Sequence, residues 1–256
     1  MSSSGGSAPG VLTAVVTGAS RGIGAAITRD LAGSGHRVVA LGRDREALDA
    51  LVAAVDGDVQ AMQCDVGDEA AVSDVFASID HVDILVNNAG VATSNPVHRT
   101  SLSQWEEMLR VNATGPFLCT RAVLPGMRAR GWGRLVTVAS VAGLHGSPYV
   151  AAYAASKHAA IGLMRVVAAE VRATGVTANA VCPSYVRTPM TGRTVAGIAD
   201  RSGGSAAEAE ALLVEGMALG RLIDPGEVAA AVAYLVSAAA AAVNGQSIVI
   251  DGGLLP

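Results

Sequence analysis

The segment VLTAVVTGASRGIG, residues 11–24, decides the fold of this chain. An apolar run of strand length leads into Gly18, Gly22 and Gly24, and helical periodicity begins directly after them. Glycines in such a place permit a tight turn, a close approach of backbone N–H groups to a phosphate, and close packing of helix on strand. The start of the helix adds unpaired N–H groups and a partial positive charge. The segment predicts a strand–turn–helix unit that binds dinucleotide phosphates, although a glycine triplet alone also occurs in turns that bind nothing.

The rest of the chain alternates between apolar runs of strand length and longer segments of helical period. The short runs are apolar on both faces, as strands of a helix-covered parallel sheet must be. This order predicts a single α/β domain, a doubly wound Rossmann-type sheet of seven parallel strands with helices on both faces. The predicted strands are Val11–Thr17, Arg37–Leu41, Val59–Cys64, Asp83–Asn87, Arg134–Ser140, Val176–Cys182 and Gln246–Ile250. The predicted helices are Gly22–Gly33, Asp44–Val55, Asp68–Ile79, Leu102–Arg130, Ala151–Thr174 and Pro225–Ser237.

Composition supports one domain with a large core. The chain has 256 residues, 51% of them apolar and 16% charged, and we expect residues 11–256 to form the domain behind a flexible tail, residues 1–10. The tail carries no secretory signal pattern. Val228–Val243 is apolar but too short to span a membrane, which predicts a buried helix. A net charge of −4 and 3% aromatic residues argue against nucleic acid as a partner.

The three cysteines are far apart and form no C-x-x-C pair, so we expect neither disulfides nor a metal site and predict a reducing, cytoplasmic setting. One long stretch, residues 190–221, stands outside the alternation and is predicted to be a substrate lid. Its apolar residues predict an inner surface for a largely apolar substrate, with packing of the lid on itself as the alternative. They are Met190, Val195, Leu212, Leu213 and Met217.

The end of the second predicted strand indicates which dinucleotide binds. The sequence there is Leu41-Gly42-Arg43-Asp44, with glycine where a carboxylate for the adenosine ribose is expected. Arg43, together with Arg21 of the glycine turn, favours the 2′-phosphate of NADP(H). The alternative is NAD with Asp44 on the ribose, but Asp44 is better placed to cap the following helix.

Further motifs give the chain a resemblance to the short-chain dehydrogenase/reductase family from Val11 to the C-terminus. The motifs are TGASRGIG at 17–24, NNAG at 87–90, RVNATGPF with Asn112, RLVTVAS ending at Ser140, YAASK with Tyr153 and Lys157, and NAVCPSYVRTPM before the lid. The resemblance implies a Rossmann fold, a nicotinamide cofactor, and a catalytic set of Asn112, Ser140, Tyr153 and Lys157. It also implies cofactor contacts from Gly18, Ser20, Arg21, Gly22, Ile23, Gly24, Arg43, Asp65, Val66, Asn87, Gly90, Tyr153, Lys157, Val186 and Thr188. For Asp65 the alternative is a loop acid that caps the next helix.

The chemistry of the central pair follows from its spacing. Tyr153 and Lys157 are four residues apart in a helical segment, so both side chains lie on one face. An ammonium close to a phenol favours the phenolate, so we expect Lys157, and a positive nicotinamide, to lower the pKa of Tyr153. Ser140 follows a strand and can hold the substrate oxygen while Tyr153 exchanges the proton. The role of Asn112 in proton relay rests on the resemblance alone.

Three features remain open at this point. Ser184 stands where the family commonly has glycine, which could reshape the nicotinamide pocket or the base of the lid. His145 lies in the loop before Tyr153 and is either a substrate contact or an ordinary loop histidine. A cluster of exposed helix-end arginines resembles the surface with which relatives dock an acyl carrier protein, or is simply solvated; it comprises Arg128, Arg130 and Arg172.

These observations predict an NADP(H)-dependent enzyme that interconverts a secondary alcohol and a ketone, with a 3-oxoacyl or polyketide-like substrate as the leading case. The alternatives are an NAD-dependent hydroxy-acid or alcohol dehydrogenase and, from another class, a nucleotide-binding regulator without turnover. The resemblance of the two long helices to those of oligomeric relatives implies a homotetramer.

Overall fold

The computed structural model describes residues 10–254, which form one seven-stranded parallel sheet. The strand order is β3-β2-β1-β4-β5-β6-β7, so the order reverses between β1 and β4, as predicted for a doubly wound sheet. The strands are β1 (Thr13–Thr17), β2 (Arg37–Gly42), β3 (Val59–Gln63), β4 (Ile84–Asn87), β5 (Gly133–Val138), β6 (Val176–Pro183) and β7 (Ser247–Ile250).

Helices cover both faces of the sheet because successive strand residues point to opposite sides. In β1, Val15 packs into one core with α3, α5 and α6, while Ala14 and Val16 pack into a second core with α1, α2 and α9. The helices are α1 (Gly22–Gly33), α2 (Arg45–Ala53), α3 (Glu69–Ala77), α4 (Leu102–Leu109), α5 (Gly115–Arg130), α6 (Ala151–Glu170), α7 (Pro189–Ser202), α8 (Ala206–Val214) and α9 (Pro225–Val236).

The structure departs from the predicted boundaries at two places that matter for the site. The predicted single helix Leu102–Arg130 is interrupted by a π-helical turn, Arg110–Thr114, that inserts backbone between α4 and α5. Strand β5 ends at Val138, so Ser140 lies beyond the strand and caps a short 3-10 turn, Val141–Gly143. Both irregularities lie at the carboxyl edge of the sheet, where parallel α/β sheets bind ligands.

The predicted lid is helical. Its residues form α7 and α8, which pack on each other through a small cluster of Val195, Ala209 and Leu213. Of the apolar lid residues, Met217 packs into the second core and Leu212 is 59% exposed. Val195 and Leu213 thus follow the alternative, packing of the lid on itself, and of the five apolar residues only Met190 lines the cavity at the carboxyl edge of the sheet.

Smaller differences concern the edges and ends of the fold. The edge strands β3 and β7 are only partly buried, since an edge strand lacks a neighbour on one side. The apolar run Val228–Val243 is buried as α9 only to Val236, and a short 3-10 turn follows. The predicted tail, residues 1–10, lies outside the described residues apart from Gly10. Within residues 10–254, no helix has the length and apolar character needed to cross a membrane.

Candidate active site

A cavity of about 740 Å³ opens at the carboxyl ends of the central strands. It brings together nearly all the predicted site residues, from the glycine turn to the catalytic helix. Those that line it are Gly18, Ser20, Arg21, Gly22, Ile23, Gly24, Arg43, Asp65, Val66, Gly90, Ser140, Tyr153, Lys157, Val186 and Thr188. Asn87 and Asn112 do not line it.

The glycine turn has the shape expected of a phosphate site. Gly18 has a φ of +63°, and a Cβ there would lie 2.7 Å from the Ala89 Cα. A Cβ on Gly24 would overlap the Gly18 carbonyl oxygen. Helix α1 then begins after Arg21, whose side chain does not cap it, so its first N–H groups remain available to an anion. These residues fit the diphosphate of a dinucleotide.

Asn88, which the sequence prediction missed, holds this turn in place. Its side-chain amide donates to the carbonyls of Thr17 at 2.9 Å and Gly18 at 3.1 Å. The Thr17 hydroxyl accepts from the Asn88 N–H in return, at 2.9 Å. Asn87 instead faces away from the cavity and donates to Thr120 at 3.1 Å. The signal was the alternation of side chains along β4, which places neighbours such as these two on opposite sides.

Asp65 lines the cavity just beyond β3, where the resemblance places the adenosine. Its carboxylate accepts from the Gly67 N–H at 3.0 Å and from Arg110 at 3.1 Å. Burial raises the pKa of Asp65, but these hydrogen bonds outweigh it and leave the pKa below its ordinary value. The alternative role as a helix cap is not seen, because Asp68 caps α3 itself.

The three charged residues beside the glycine turn have different partners. Asp44 caps α2 by accepting from the Ala47 N–H at 3.0 Å, which confirms its predicted role. Asp44 also forms an ion pair with Arg21, and both side chains are about half exposed. Arg43 is exposed on the cavity wall, where its charge helps to lower the pKa of Asp65.

Tyr153 and Ser140 both line the cavity, and Ser140 lies near enough to the phenol to influence its pKa. The Ser140 hydroxyl also accepts from the Ala142 N–H at 3.2 Å, which fixes it in the turn after β5. Burial raises the pKa of Tyr153 above its ordinary value, and the influence of Ser140 offsets this only in part. The expected lowering of this pKa by Lys157 is not met.

The reason lies in where the Lys157 ammonium is held. Its Nζ donates to the Val138 carbonyl at 2.9 Å and lies 5.8 Å from the centre of the Tyr153 ring. The side chain is only 5% exposed, and burial lowers its pKa from 10.5 to about 8. The amine still carries its proton at neutral pH, but it is directed at the Val138 carbonyl, and burial of the phenol dominates the pKa of Tyr153.

Asn112 supports the site from behind the cavity wall. It lies in the π-helical turn, where its amide oxygen accepts from the Val91 N–H at 2.9 Å. Its amide nitrogen donates to the Val91 carbonyl and to the Ser156 hydroxyl, both at 2.9 Å. Asn112 therefore ties the loop after β4 to α6, the helix that carries Tyr153.

The segment after β6 closes the other side of the cavity. Thr188 caps α7, and a Cβ on Gly22 would lie 3.0 Å from its methyl group, so the start of the lid lies directly over the glycine turn. Ser184 also lines the cavity, and its hydroxyl donates to the Asp251 carbonyl at 3.2 Å. The extra side chain thus binds the C-terminal segment at the base of the lid.

Three lid residues, Met190, Thr191 and Arg193, line the cavity, and the sequence prediction missed Thr191 and Arg193. His145 does not line it; its Nδ1 lies 3.3 Å from the Gly146 carbonyl. Among residues 10–254, no cluster of His, Cys, Asp or Glu side chains could hold a metal ion.

Known proteins with a similar sequence or structure support the family resemblance found in the sequence. A family model described as short chain dehydrogenase matches residues 12–198. A granaticin polyketide synthase ketoacyl reductase from Streptomyces violaceoruber is 40% identical, with 94% of this chain and 92% of that protein covered. D-beta-hydroxybutyrate dehydrogenase from Rhizobium meliloti is 34% identical over 94% of this chain and 97% of its own length. A variant of actinorhodin polyketide ketoreductase, solved with NADPH, superposes with a TM-score of 0.92 at 36% identity, covering 95% of this chain and 97% of that one.

Proposed function

The chain belongs to the short-chain dehydrogenase family, and we propose that it is a ketoreductase for a 3-oxoacyl or polyketide-like ketone. It is an oxidoreductase that interconverts a secondary alcohol and a ketone with a nicotinamide cofactor of the NADP(H) type. The polyketide ketoreductases among its relatives support the substrate class, and their match extends over nearly the whole of both chains.

The observation that carries the proposal is that Ser140, Tyr153 and Lys157 line one cavity together with the glycine turn. When bound, the cofactor supplies the hydride to the carbonyl carbon, or accepts it in the reverse direction. Ser140 holds the carbonyl oxygen with its hydroxyl, and Tyr153 donates its phenolic proton to that oxygen. The raised pKa of Tyr153 keeps the phenol protonated at neutral pH, which suits a proton donor in the direction of reduction.

Lys157 and Asn112 act from beside this pair. Lys157 lines the cavity with its amine anchored on Val138, where it can reach a cofactor ribose without contacting the substrate. Asn112 fixes the position of α6 through Ser156, one residue before Lys157. We assign Lys157 to cofactor orientation and proton supply, and Asn112 to the positioning of the loop and helix that meet at the site.

The charges at the adenosine end support NADP(H) over NAD. Asp44, the carboxylate that would hold a ribose, is already engaged by Arg21 and the Ala47 N–H. Arg43 faces the cavity with an exposed guanidinium that can bind a 2′-phosphate. NAD use would require Asp44 to exchange these partners for a ribose hydroxyl.

The proposal extends to assembly and location. Exposed apolar side chains on α4, α5 and α6 support a homotetramer built through these helices; they are Trp105, Phe117 and Val166. Arg130 is engaged by the Val82 carbonyl and Asp83, which argues against its use in docking an acyl carrier protein. The free thiols of Cys64, Cys119 and Cys182 fit a reducing cytoplasm.

The test is a screen of ketones, including 3-oxoacyl thioesters, followed by the consumption of NADPH. Tyr153→Phe should lower kcat by about 100-fold or more, because it removes the proton donor and keeps the ring. Tyr149→Phe is the matched control, since this tyrosine lies four residues earlier, is 62% exposed and does not line the cavity. Retention of more than about a tenth of the rate by Tyr153→Phe contradicts the assigned proton transfer. NADPH binding without turnover of any ketone would instead indicate a regulator.

A further inference from the structure

Arg193 lies on the lid face that covers the cavity. Helix α7 begins at Pro189, directly after Thr188, and both residues approach the position of a Cβ on Gly22. Residues four apart on a helix lie on the same face, so Arg193 is on the side of Pro189, one turn further along. Its side chain is exposed and contributes to the cavity wall. The Arg193 guanidinium therefore projects from the lid into the cavity, on the side of the glycine turn.

The acidic residues of the cavity do not pair with the Arg193 guanidinium. Three arginines line the cavity, and Arg21 is held by Asp44. Arg43 lies near Asp65 at the adenosine end, as its effect on that carboxylate shows. Arg193 has no hydrogen bond, ion pair or ring contact with any side chain in residues 10–254. It is a cation on the wall of an anion-binding cavity that the described protein does not neutralise.

We propose that Arg193 binds the diphosphate of the cofactor and thereby closes the lid over it. The inference rests on the proposed function only for the identity of the cofactor class. The glycine turn offers backbone N–H groups to the diphosphate but no free cation, because Arg21 is taken by Asp44. A guanidinium forms short, charge-assisted hydrogen bonds to phosphate oxygens, so Arg193 supplies the missing positive charge from the opposite wall.

A displacement of Arg193 towards the cofactor would move α8 as well as α7. Val195, two residues on, packs against Ala209 and Leu213 of α8, so α7 and α8 shift as one unit. Glu210 of α8 also pairs with Arg187, just before α7, at 3.5 Å. Cofactor binding therefore draws both lid helices towards the glycine turn.

The first experiment measures equilibrium binding of NADPH by fluorescence, with no substrate present. Arg193→Gln should raise the Kd by about 10-fold or more, since a charge-assisted hydrogen bond is lost. Arg201→Gln is the matched control: Arg201 is exposed in the last turn of the same helix and does not line the cavity. Adenosine 2′-monophosphate, which displaces NADPH but has no diphosphate, should bind the wild type and Arg193→Gln equally well.

The second experiment follows amide hydrogen exchange of the lid, residues 195–214. NADPH should slow exchange there in the wild type and in Arg201→Gln, and have much less effect in Arg193→Gln. An unchanged NADPH Kd in Arg193→Gln overturns the proposal, whether or not the KM for an anionic ketone rises. A parallel loss of adenosine 2′-monophosphate binding also overturns it, because the effect would then lie at the adenosine end. None of these readouts depends on ketone turnover, so a failed substrate screen leaves them decisive.

Discussion

Replacing Lys157 with methionine should stabilise the folded chain at neutral pH while it abolishes turnover. The side chain is 5% exposed, and the carbonyl of Val138 is the partner of its ammonium. Burial lowers its pKa from 10.5 to about 8. A shift of that size corresponds to about 3 kcal/mol of unfavourable free energy for keeping the charged form in the folded chain. After loss of the Val138 hydrogen bond, the net gain from methionine is about 1 to 2 kcal/mol.

The effect has a defined pH window. The unfolded chain holds the Lys157 proton up to its ordinary pKa of 10.5, whereas the folded chain releases it near 8. The unfolded state therefore binds more protons between these values, and wild-type stability increases with pH across them. Below pH 8 the full cost of the buried charge is present. The advantage of Lys157→Met should shrink by about 1.4 kcal/mol per pH unit above pH 8.

Two measurements check this reasoning. Urea unfolding of the wild type and of Lys157→Met, each at pH 7, 8, 9 and 10, gives the difference in free energy of unfolding directly. Nuclear magnetic resonance gives the pKa itself, because Lys157 is the only lysine in the sequence and lysine-selective ¹⁵N labelling reports on one side chain. A pKa close to 10.5, or a stability difference that does not change with pH, would refute the assignment of a buried, strained charge.

Three further results are expected. Ser156→Ala should cost about 1 to 3 kcal/mol in urea unfolding and lower kcat, because it removes the hydroxyl that accepts one of the two hydrogen bonds donated by the buried Asn112 amide nitrogen; unchanged stability and kcat would exclude this link. Gly24→Ala should unfold well below the wild-type Tm, because its Cβ overlaps a carbonyl of the glycine turn, whereas Gly33→Ala in the same helix meets nothing within 4 Å and should keep its Tm. Arg43→Ala should weaken NADPH binding by about 10-fold and leave NADH binding nearly unchanged, as measured by fluorescence titration; equal losses would point to a folding defect.

The sequence was sufficient for the sheet and for most of the cavity wall. Strands that are buried on both faces, such as β1 and β4, can be recognised from their continuous apolar runs. The glycine turn can also be predicted from the sequence, since Gly18 and Gly24 occupy places where no side chain fits. Parallel topology then brings the ends of these strands to one edge, so residues on separate strands could be assigned to one site without knowledge of their contacts.

What could not be predicted depends on backbone irregularity and on competition between partners. Nothing in the residue pattern around Asn112 marks an inserted π turn, because the helical period continues on both sides of it. The direction of the Lys157 effect also depended on a contact that spacing does not show, namely the Val138 carbonyl. Arg193 was missed because α7 has a Gly- and Ser-containing sequence that reads as a loop, although Thr188 and Pro189 are good helix-start residues.

The separate apolar cluster of Val195, Ala209 and Leu213 in the lid affects how the substrate range of this enzyme can evolve. Those side chains are not shared with the two cores around the sheet, and among the described residues of α7 and α8 only Val214 packs against either core, so the two helices depend little on the apolar packing of the sheet domain. Grafting the corresponding helices from a relative with another acyl preference should alter which ketones are accepted while the unfolding of the sheet stays the same. Substitutions in the lid can then change the substrate range without lowering the stability of the fold.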